Sequence, residues 1–316
     1  MSSPRVVALG GGHGLFATLT ALRALTSEIT AVVTVADNGG SSGRLREEFP
    51  IFPPGDLRMA LAALCGDDEW GRSWAEIMQY RFTSDGPLDG HAVGNLLLAA
   101  LWDRDEDPVE GLDRVGALLK VVGRVLPMAS QPLDIQATFT IDGAKKVIRG
   151  QKEVATTSGL FESVELIPAN PAARPEVIQA INDAEWVTMG PGSWISSVLP
   201  HLLVPDQVEC LVTSSAKKIL LLNLDDPQSG EFAGRSAFDH LSAVQKLAPS
   251  LHFDYVVADS SVVRDSDASD RLTEKVSTQG GELVVADLRG AGDSTHHDTK
   301  KLTSVFAHIA QKSLIG

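Results

Sequence analysis

One stretch of the sequence, a β-branched run that leads into a glycine-rich segment, limits the possible folds more than any other. Residues 29–33 (ITAVV) have the composition of a buried parallel strand. Residues 34–46 (TVADNGGSSGRLR) follow directly and place three glycines, two serines and two arginines after one aspartate. Glycine lets backbone N–H groups approach an anion closely, and hydroxyl and guanidinium groups add hydrogen-bond donors. We therefore predict an α/β fold with a phosphate-binding loop at the carboxyl end of a strand, where open α/β sheets bind ligands.

The ligand-binding residues expected in this segment are Asp37, Asn38, Gly39, Gly40, Ser41, Ser42 and Arg44. Arg44 would neutralise a phosphate, and losing such a charge-assisted contact costs about 1.5–3 kcal/mol of affinity. Asp37 would contact a sugar hydroxyl or a metal-bound phosphate. Two alternatives stay open from the residues alone: a mobile loop whose arginines are solvated, and an aspartate that only caps a turn.

A second strand and glycine turn open the chain. Residues 6–9 (VVAL) read as a short strand, and a helix is predicted from about Leu15 to Leu25. The turn between them contributes the candidate binding residues Gly10, Gly11, Gly12, His13 and Gly14. With Ala17 in third place, the turn fits the dinucleotide fingerprint, and a helix N-terminus offers free N–H groups to a phosphate. A tight strand-to-helix turn without a ligand is the alternative.

The same pattern recurs in the second half of the chain. Residues 186–189 (WVTM) predict a strand, and a helix is expected from about Ile195. The turn between them contributes Gly190, Pro191, Gly192 and Ser193 as a second candidate anion site, with a merely capped turn as the alternative. Residues 218–224 (KILLLNL) predict a central strand that places Asn223 at its end, where it would contact a hydroxyl or a base.

Two further segments carry candidate polar residues. Asp56 follows a Pro-Pro-Gly segment and is a natural N-cap for a helix over residues 57–64, with Arg58 in its first turn. His91 and Asn95 open another helix and lie one turn apart. The pair Asp56 and Arg58 is expected at a phosphate, with a cap and a surface arginine as the alternative. A structural histidine is the alternative for His91.

Composition limits the partners of this chain. Its net charge is −14, from 27 basic and 41 acidic residues, which argues against nucleic acid or an anionic membrane as the main partner. No apolar run reaches the ~18 residues of a membrane span, and no signal sequence is recognised, so a cytoplasmic location is expected. The two cysteines, Cys65 and Cys210, form no C-x-x-C motif and are expected to be buried and reduced.

Motifs of known catalysts are missing from the sequence. No Walker lysine, nucleophile elbow, zinc-protease motif or kinase motif set occurs, so the sequence favours binding over catalysis, and catalytic residues stay unknown. The triplet His296-His297-Asp298 has no fourth ligand at helical spacing, and a metal site there is not expected. Thr299 begins a predicted helix and is a candidate phosphorylation site, because added negative charge is favourable there.

The chain is predicted to be a single α/β domain over residues 1–316 with a small β-hairpin excursion. Within residues 133–150, residues 135–140 alternate apolar and polar side chains, and an Asp142-Gly143 turn leads into residues 145–148 (KKVI), which is typical of a hairpin.

Five segments together resemble the YvcK gluconeogenesis-factor family, and most closely its actinobacterial type. They are residues 7–15 (VALGGGHGL), 34–46, 53–58 (PPGDLR), 91–96 (HAVGNL) and 190–194 (GPGSW). The resemblance spans nearly the whole chain, and the segment from Asp37 to Arg46 is its most specific part. It implies a Rossmann-like, doubly wound, mostly parallel sheet shared with the CofD transferases.

The resemblance also implies a function. The family binds UDP-sugars such as UDP-N-acetylglucosamine and is needed for normal cell shape and cell-wall growth on gluconeogenic carbon sources. CofD transferases move a phospholactyl group from a guanosine diphosphate carrier with Mg²⁺, so a Mg²⁺-dependent transferase of the 2-phospho-L-lactate type is the alternative, with Asp37 and Asp56 helping to hold the metal. The family usually has a second acid at the position of Asn38, and this departure weakens the metal-dependent alternative.

The resulting expectation is a regulatory protein that binds a nucleotide-sugar, with no certain cofactor and with Mg²⁺ as an option. A homodimer and regulatory protein partners are compatible with the sequence. A dinucleotide oxidoreductase is disfavoured, because the phosphate-type segment after Asp37 is foreign to that fingerprint.

Overall fold

A parallel sheet of seven strands forms the centre of the molecule. The computed structural model describes residues 3–105, 107–224, 235–263, 266–292 and 296–313. The strands of the central sheet are β1 (Val6–Gly10), β2 (Ile29–Val33), β3 (Arg124–Pro127), β7 (Trp186–Met189), β8 (Lys217–Leu221), β9 (Tyr255–Asp259) and β10 (Glu282–Ala286). Their order is β10-β9-β8-β7-β1-β2-β3, and every neighbouring pair is parallel.

Helices cover this sheet. Over the described residues they are α1 (Gly12–Arg23), α2 (Gly40–Glu48), α3 (Pro54–Ala63), α4 (Glu69–Gln79), α5 (Val93–Arg104), α6 (Pro108–Leu119), α7 (Gln151–Thr156), α8 (Pro175–Asp183), α9 (Pro205–Thr213), α10 (Ala237–Leu247), α11 (Ser266–Ser277) and α12 (Thr299–Ser313). Because both faces of a parallel sheet are covered, its inner strands are continuous apolar runs, and all five residues of β1 are buried. The predicted α/β class is therefore confirmed.

The strand order creates one switch point, between β1 and β7. From β1 the chain builds outward to β2 and β3, and it later returns to pair β7 on the other side of β1. The register aligns Leu9 with both Val32 and Met189, so the three strands end at one level. Connections on the two sides of a switch point diverge and leave a crevice at the carboxyl ends of the strands. The glycine turns after β1 and β7 both border that crevice.

A small antiparallel sheet stands beside the main one. Its strands are β4 (Asp134–Ile141), β5 (Ala144–Arg149) and β6 (Leu160–Ile167), in the order β5-β4-β6. The predicted hairpin around Asp142 and Gly143 is confirmed. Sequence analysis missed that the excursion continues through α7 to a third strand, because the half-exposed start of β6 shows no clear alternation.

The segment after β2 differs from its prediction. A continuous loop was expected, but residues 40–48 form α2, while residues 34–39 are non-helical. Gly40 has φ of +47°, a backbone conformation that glycine adopts without strain, and it turns the chain into this helix. Ser41 and Ser42 are buried by the change, so they face protein. Within the ranges given above, every helix is too short or too polar to span a bilayer.

Candidate functional site

A cavity of about 450 Å³ lies at the carboxyl ends of β1 and β7. It is lined by Gly11, Gly12, His13, Gly14, Ala17, Asp56, Gln151, Ala155, Pro191, Gly192, Ser193, Ser196, Ser197, Asn223, Leu224, His296 and His297. The cavity therefore brings together residues from both predicted glycine turns, from the start of α3 and from the end of β8.

The first glycine turn presents the N-terminus of α1 to this cavity. Gly11 is the N-cap and has no capping side chain of its own, and the first turn of α1 holds no acidic residue, but the N–H of Gly12 donates to the carboxylate of Asp56. The N–H groups at the start of a helix lack intrahelical partners and form an anion site together with the helix dipole. Buried His201 accepts a hydrogen bond from Gln207 at Nδ1 and donates from Nε2 to the carbonyl of Gly10 at 3.2 Å, which fixes the entry to this turn. Burial lowers the pKa of His201 to about 4, so the ring is neutral at physiological pH.

The second glycine turn packs directly on the first. A Cβ added at Gly14 would lie 2.0 Å from the carbonyl oxygen of Pro191, so only glycine fits there. Thr18, one turn further along α1, donates to the carbonyl of Gly190 at 3.1 Å. The two turns therefore form one continuous backbone surface, held together by close approach and a buried hydrogen bond.

Asn223 fixes the second turn from the neighbouring strand. Its amide accepts from the N–H of Gly192 at 3.0 Å and donates to the carbonyl of Gly192 at 2.7 Å. Both functions of this amide are thus engaged by the protein, and Asn223 positions the turn. Ser193 and Ser196 are hydrogen-bonded through their hydroxyls, and Ser197 lies beside them on the cavity wall.

A pair of acids lies where the first turn meets α3. Asp56 lines the cavity and accepts from the hydroxyl of Thr34 at 3.3 Å. Burial, and then the nearby charge of Asp37, raises the pKa of Asp56 to about 7. Burial also raises the pKa of Asp37, although the N–H of Gly39 and the hydroxyl of Ser42 donate to it and oppose the shift. Asp37 and the first glycine turn therefore both lie beside the start of α3.

A buried polar network lies behind these acids. Arg58 donates from Nε to Asn95 at 2.8 Å, and Asn95 donates to the hydroxyl of Ser41 at 3.0 Å. The hydroxyl of Ser41 is 2.9 Å from Nδ1 of His91. Burial, followed by the nearby charges of Arg44 and Arg81, lowers the pKa of His91, which favours a neutral ring that accepts from Ser41. These four predicted residues come together, but in a network within the protein that does not line the cavity.

Two residues of the predicted phosphate segment face elsewhere. Arg44 is exposed on α2 and donates to the carbonyls of Pro87 at 3.2 Å and Asp89 at 2.6 Å. Asn38 donates to Glu153 and accepts from the N–H of Lys152, both at the start of α7. Arg44 thus does not line the cavity, because α2 turns its side chain toward the loop before α5, and a contact between Arg44 and a phosphate stays a prediction.

The structure therefore separates the predicted site residues into two groups. Those that line the cavity are Gly11, Gly12, His13, Gly14, Asp56, Pro191, Gly192, Ser193 and Asn223. Those that do not line it are Gly10, Asp37, Asn38, Gly39, Gly40, Ser41, Ser42, Arg44, Arg58, His91, Asn95 and Gly190.

Sequence analysis missed several cavity residues. Ser196 and Ser197 follow a recognised turn and were assigned only to its helix, while Gln151 lies in a segment with no motif. His296 and His297 were considered only as metal ligands, yet both line the cavity, and the ring of His296 meets that of His13 edge-on at 5.8 Å. These two histidines lie just before α12, and only the tertiary fold brings that part of the chain back to the turn after β1.

Two further predictions concern a metal ion and a modified side chain. Within the described parts of the chain, no three His, Cys, Asp or Glu side chains come together to hold a metal ion. Thr299 is half-buried at the start of α12, and its carbonyl accepts from Thr303 at 2.8 Å. Asp298 caps this helix through the N–H groups of Lys300 and Lys301. Phosphorylation of Thr299 remains a prediction.

The strand order and the cavity at the switch point define a doubly wound α/β protein with a ligand-type crevice. A family model described as 2-phospho-L-lactate transferase CofD matches residues 6–302. Putative gluconeogenesis factors of Mycobacterium leprae and Mycobacterium tuberculosis are each 44% identical; the first match covers 96% of this chain and 86% of the relative, the second 98% and 91%. The gluconeogenesis factor of Halalkalibacterium halodurans is 34% identical, with 99% of this chain and 95% of the relative covered.

A solved structure agrees with these relatives. The crystal structure of a UPF0052 family member from Bacillus halodurans has a TM-score of 0.83 and 30% identity, and the match covers 97% of this chain and 99% of that one. The chain belongs to the CofD family and, within it, to the gluconeogenesis factors. The predicted family and the doubly wound fold are thereby confirmed.

Proposed function

We propose that this protein is a regulatory protein that binds a UDP-sugar, such as UDP-N-acetylglucosamine, and links carbon metabolism to cell-wall synthesis and cell shape. The observation that carries the proposal is the joining of two glycine turns, at the N-terminus of α1 and after β7, around one cavity. Its volume of about 450 Å³ lies within the range of small-molecule sites. The lack of a catalytic motif favours binding over turnover.

The diphosphate would bind at the N-terminus of α1. The first turn of α1 offers N–H groups besides that of Gly12, which donates to Asp56, together with the positive end of a helix dipole. Hydroxyls of Ser193, Ser196 and Ser197 on the facing turn add donors of the kind that bind phosphate oxygens. This arrangement needs no lysine, which accounts for a phosphate site without a Walker motif.

Local charge allows an anion to bind despite the net charge of −14. Asp56 is the acid on the cavity wall, and its raised pKa of about 7 leaves much of it neutral near physiological pH. Burial first, and then the charges of His296 and Arg58, lower the pKa of His13, so Arg58 lies close enough to add positive potential near the cavity. A diphosphate would therefore meet the positive end of the helix dipole and the charge of Arg58, with Asp56 only partly ionised.

Isothermal titration calorimetry tests this proposal directly. We expect UDP-N-acetylglucosamine to bind with a Kd below about 1 mM, and to be recovered unchanged after prolonged incubation. His13→Gln removes a cavity side chain and should weaken binding about threefold to tenfold. His252→Gln is the matched control, because His252 is exposed and precedes β9 at the opposite end of the sheet. No binding of any UDP-sugar by the wild type would remove the proposal.

One observation favours a second candidate, a Mg²⁺-dependent transferase of the 2-phospho-L-lactate type. Asp37 and Asp56 are close enough for the charge of one to raise the pKa of the other, and a divalent cation would relieve that repulsion. Two carboxylates together with ligand phosphates are a usual donor set for Mg²⁺, so the residues fit the metal. Asp37 and Asp56 would hold Mg²⁺, which would supply positive charge to the phosphates.

The position of Asn38 counts against this second candidate, because its side chain faces α7 and adds no donor beside the two acids. Mass spectrometry of GDP-linked and UDP-linked donors, incubated with Mg²⁺ and candidate acceptors, distinguishes the two functions. A donor that is consumed only when Mg²⁺ is present would support transfer. An unchanged donor together with measurable binding would support the regulatory function.

A further inference from the structure

The cavity has one wall that the doubly wound core does not supply. Gln151 and Ala155 line the cavity from α7, which belongs to the excursion between β5 and β6. This short helix packs against residues 194–198, the turn that carries Ser196 and Ser197. Its buried Val154 anchors it to the hydrophobic core. The position of α7 therefore decides the shape of the cavity beside the glycine turns.

Glycine turns and serine hydroxyls bind a phosphate group whatever is attached to it. Discrimination between ligands that share a diphosphate is favoured by an amide side chain, which presents a donor and an acceptor in one fixed plane. Two amide side chains line the cavity among the described residues, Gln151 and Asn223. Asn223 is held against Gly192 by its carbonyl oxygen and one of its two N–H groups, which commits its plane to the turn. Gln151 is the amide left to read a ligand.

The start of α7 is clamped by one residue of the segment after β2. Asn38 donates to Oε2 of Glu153 at 2.9 Å and accepts from the N–H of Lys152 at 3.1 Å. Gly150 leaves room for this pair, since a Cβ there would lie 2.1 Å from Oε2 of Glu153 and 2.4 Å from the Asn38 amide nitrogen. One amide therefore fixes the helix by its N-terminus and by its first acidic side chain.

A second set of contacts ties the same two regions together. Arg46 donates to the carbonyl of Asp37 and to the carboxylate of Asp134, both at 3.1 Å. Arg149, next to the start of α7, binds the other oxygen of Asp134. The segment after β2 thus holds the small sheet in place, which gives the residues from Asp37 to Arg46 a role other than contact with phosphate.

We propose that α7 reads the sugar of the nucleotide-sugar, with Gln151 as the specificity-determining residue and Asn38 with Glu153 as the positioning pair; this assignment rests on the function proposed above. Sugars differ in hydroxyl and acetamido groups, and an amide on the cavity wall can match both. Asn38 acts only through α7.

Exchange of the paired groups tests the clamp. Asn38→Asp keeps an acceptor for the N–H of Lys152 but sets a carboxylate against Glu153, so we expect about tenfold weaker binding of UDP-N-acetylglucosamine. Glu153→Gln added to Asn38→Asp restores a donor and acceptor pair with the roles reversed, and should return the Kd to within about twofold of wild type. Gln136→Glu is the matched control, because it sets the same pair of charges at Glu165 on the small sheet, away from the cavity.

Replacement of Gln151 tests whether this side chain recognises the sugar of the ligand. Gln151→Ala should weaken UDP-N-acetylglucosamine by about tenfold and leave UDP within about twofold, which narrows the ratio of the two affinities. Equal weakening of both ligands would overturn the assignment to the sugar. If the wild type binds UDP-N-acetylglucosamine and Asn38→Asp binds it with the same Kd, the clamp is overturned and the proposed function is unaffected.

Amide hydrogen exchange tests the clamp on α7 without any ligand. Asn38→Asp should speed exchange over residues 151–156, Gln136→Glu should not, and the double variant should restore protection. Unchanged exchange in Asn38→Asp would overturn the clamp. Failure of the wild type to bind any UDP-sugar would remove the proposed function and the sugar assignment with it, while the exchange result would still decide whether Asn38 positions α7.

Discussion

Residues 10–14 and residues 37–44 are both glycine-rich and follow neighbouring strands, yet only the first segment lines the cavity. β1 lies at the switch point, so the turn after it meets open space and the turn after β7. β2 lies one strand closer to the sheet edge formed by β3, where α3, α5 and the small sheet cover the segment that follows. Glycine content therefore signals close backbone approach, and the strand order decides whether the neighbour is a ligand or protein.

Glycine substitution should separate the two segments most strongly. A methyl group at Gly14 would overlap the carbonyl of Pro191, so we expect Gly14→Ala to lower the free energy of unfolding by more than about 4 kcal/mol, or to prevent folding. Gly40→Ala meets no atom within 4 Å and carries only the strain of its positive φ, about 1 kcal/mol. Urea denaturation measures both, and equal losses would show that the two turns are not packed as described.

Asp56, the acid of α3 that lies beside the first segment, should make stability depend on pH. Asp56 titrates near its usual 3.8 when unfolded and near about 7 when folded, so between these values the folded protein binds more protons. Stability therefore falls as pH rises through this window. Asp56→Asn removes the effect and should gain on the order of 2–4 kcal/mol over wild type between pH 4 and pH 8.

This pH effect is measured by chemical denaturation with a chelator present, so that no metal contributes. Thr34→Val serves as the control, because it removes the hydroxyl that Asp56 accepts from without removing the acid. If the free energy of unfolding changes with pH in the same way for wild type and Asp56→Asn, the raised pKa of Asp56 is contradicted.

The network behind the second segment should contribute to stability even without a ligand. Asn95→Ala removes the acceptor for Nε of buried Arg58 and the donor to Ser41, which should cost about 2–3 kcal/mol. Gln136→Ala removes an exposed amide from Glu165 and should cost less than about 0.5 kcal/mol. Similar melting temperatures for the two variants would show that the network does not contribute to the free energy of unfolding.

The smallest effect is expected at Arg44. Its guanidinium binds two main-chain carbonyls at the surface, so Arg44→Ala should change the free energy of unfolding by about 0.5 kcal/mol or less, and the Kd for a UDP-sugar by less than about twofold. Calorimetry and urea denaturation on the same preparation measure both quantities. A tenfold weaker affinity for the UDP-sugar would show that Arg44 contacts the ligand, and the two segments would then not differ in function.

Local sequence determined the strands, the glycine turns and the hairpin, because each depends on neighbouring residues. Gly11 to Gly14 and Gly190 to Ser193 could be recognised as turns from their flanking strands and helices. Gln151 could not, since its position depends on how the small sheet and α7 dock, through Asn38 and Arg46, onto the segment after β2, which lies 88 to 114 residues earlier in these contacts. The orientation of Arg44 depended on α2, whose glycines and serines are typical of a loop.

The contact between His201 and Gly10 has a consequence for the order in which the protein matures. Main-chain groups near the start of the polypeptide are held by a side chain that is synthesised 191 positions later. Gln207, later still, keeps that ring in the tautomer that donates to Gly10. During translation, the N-terminal half of the sheet will emerge with its first turn incompletely held, and the anchored form of that turn requires the C-terminal half.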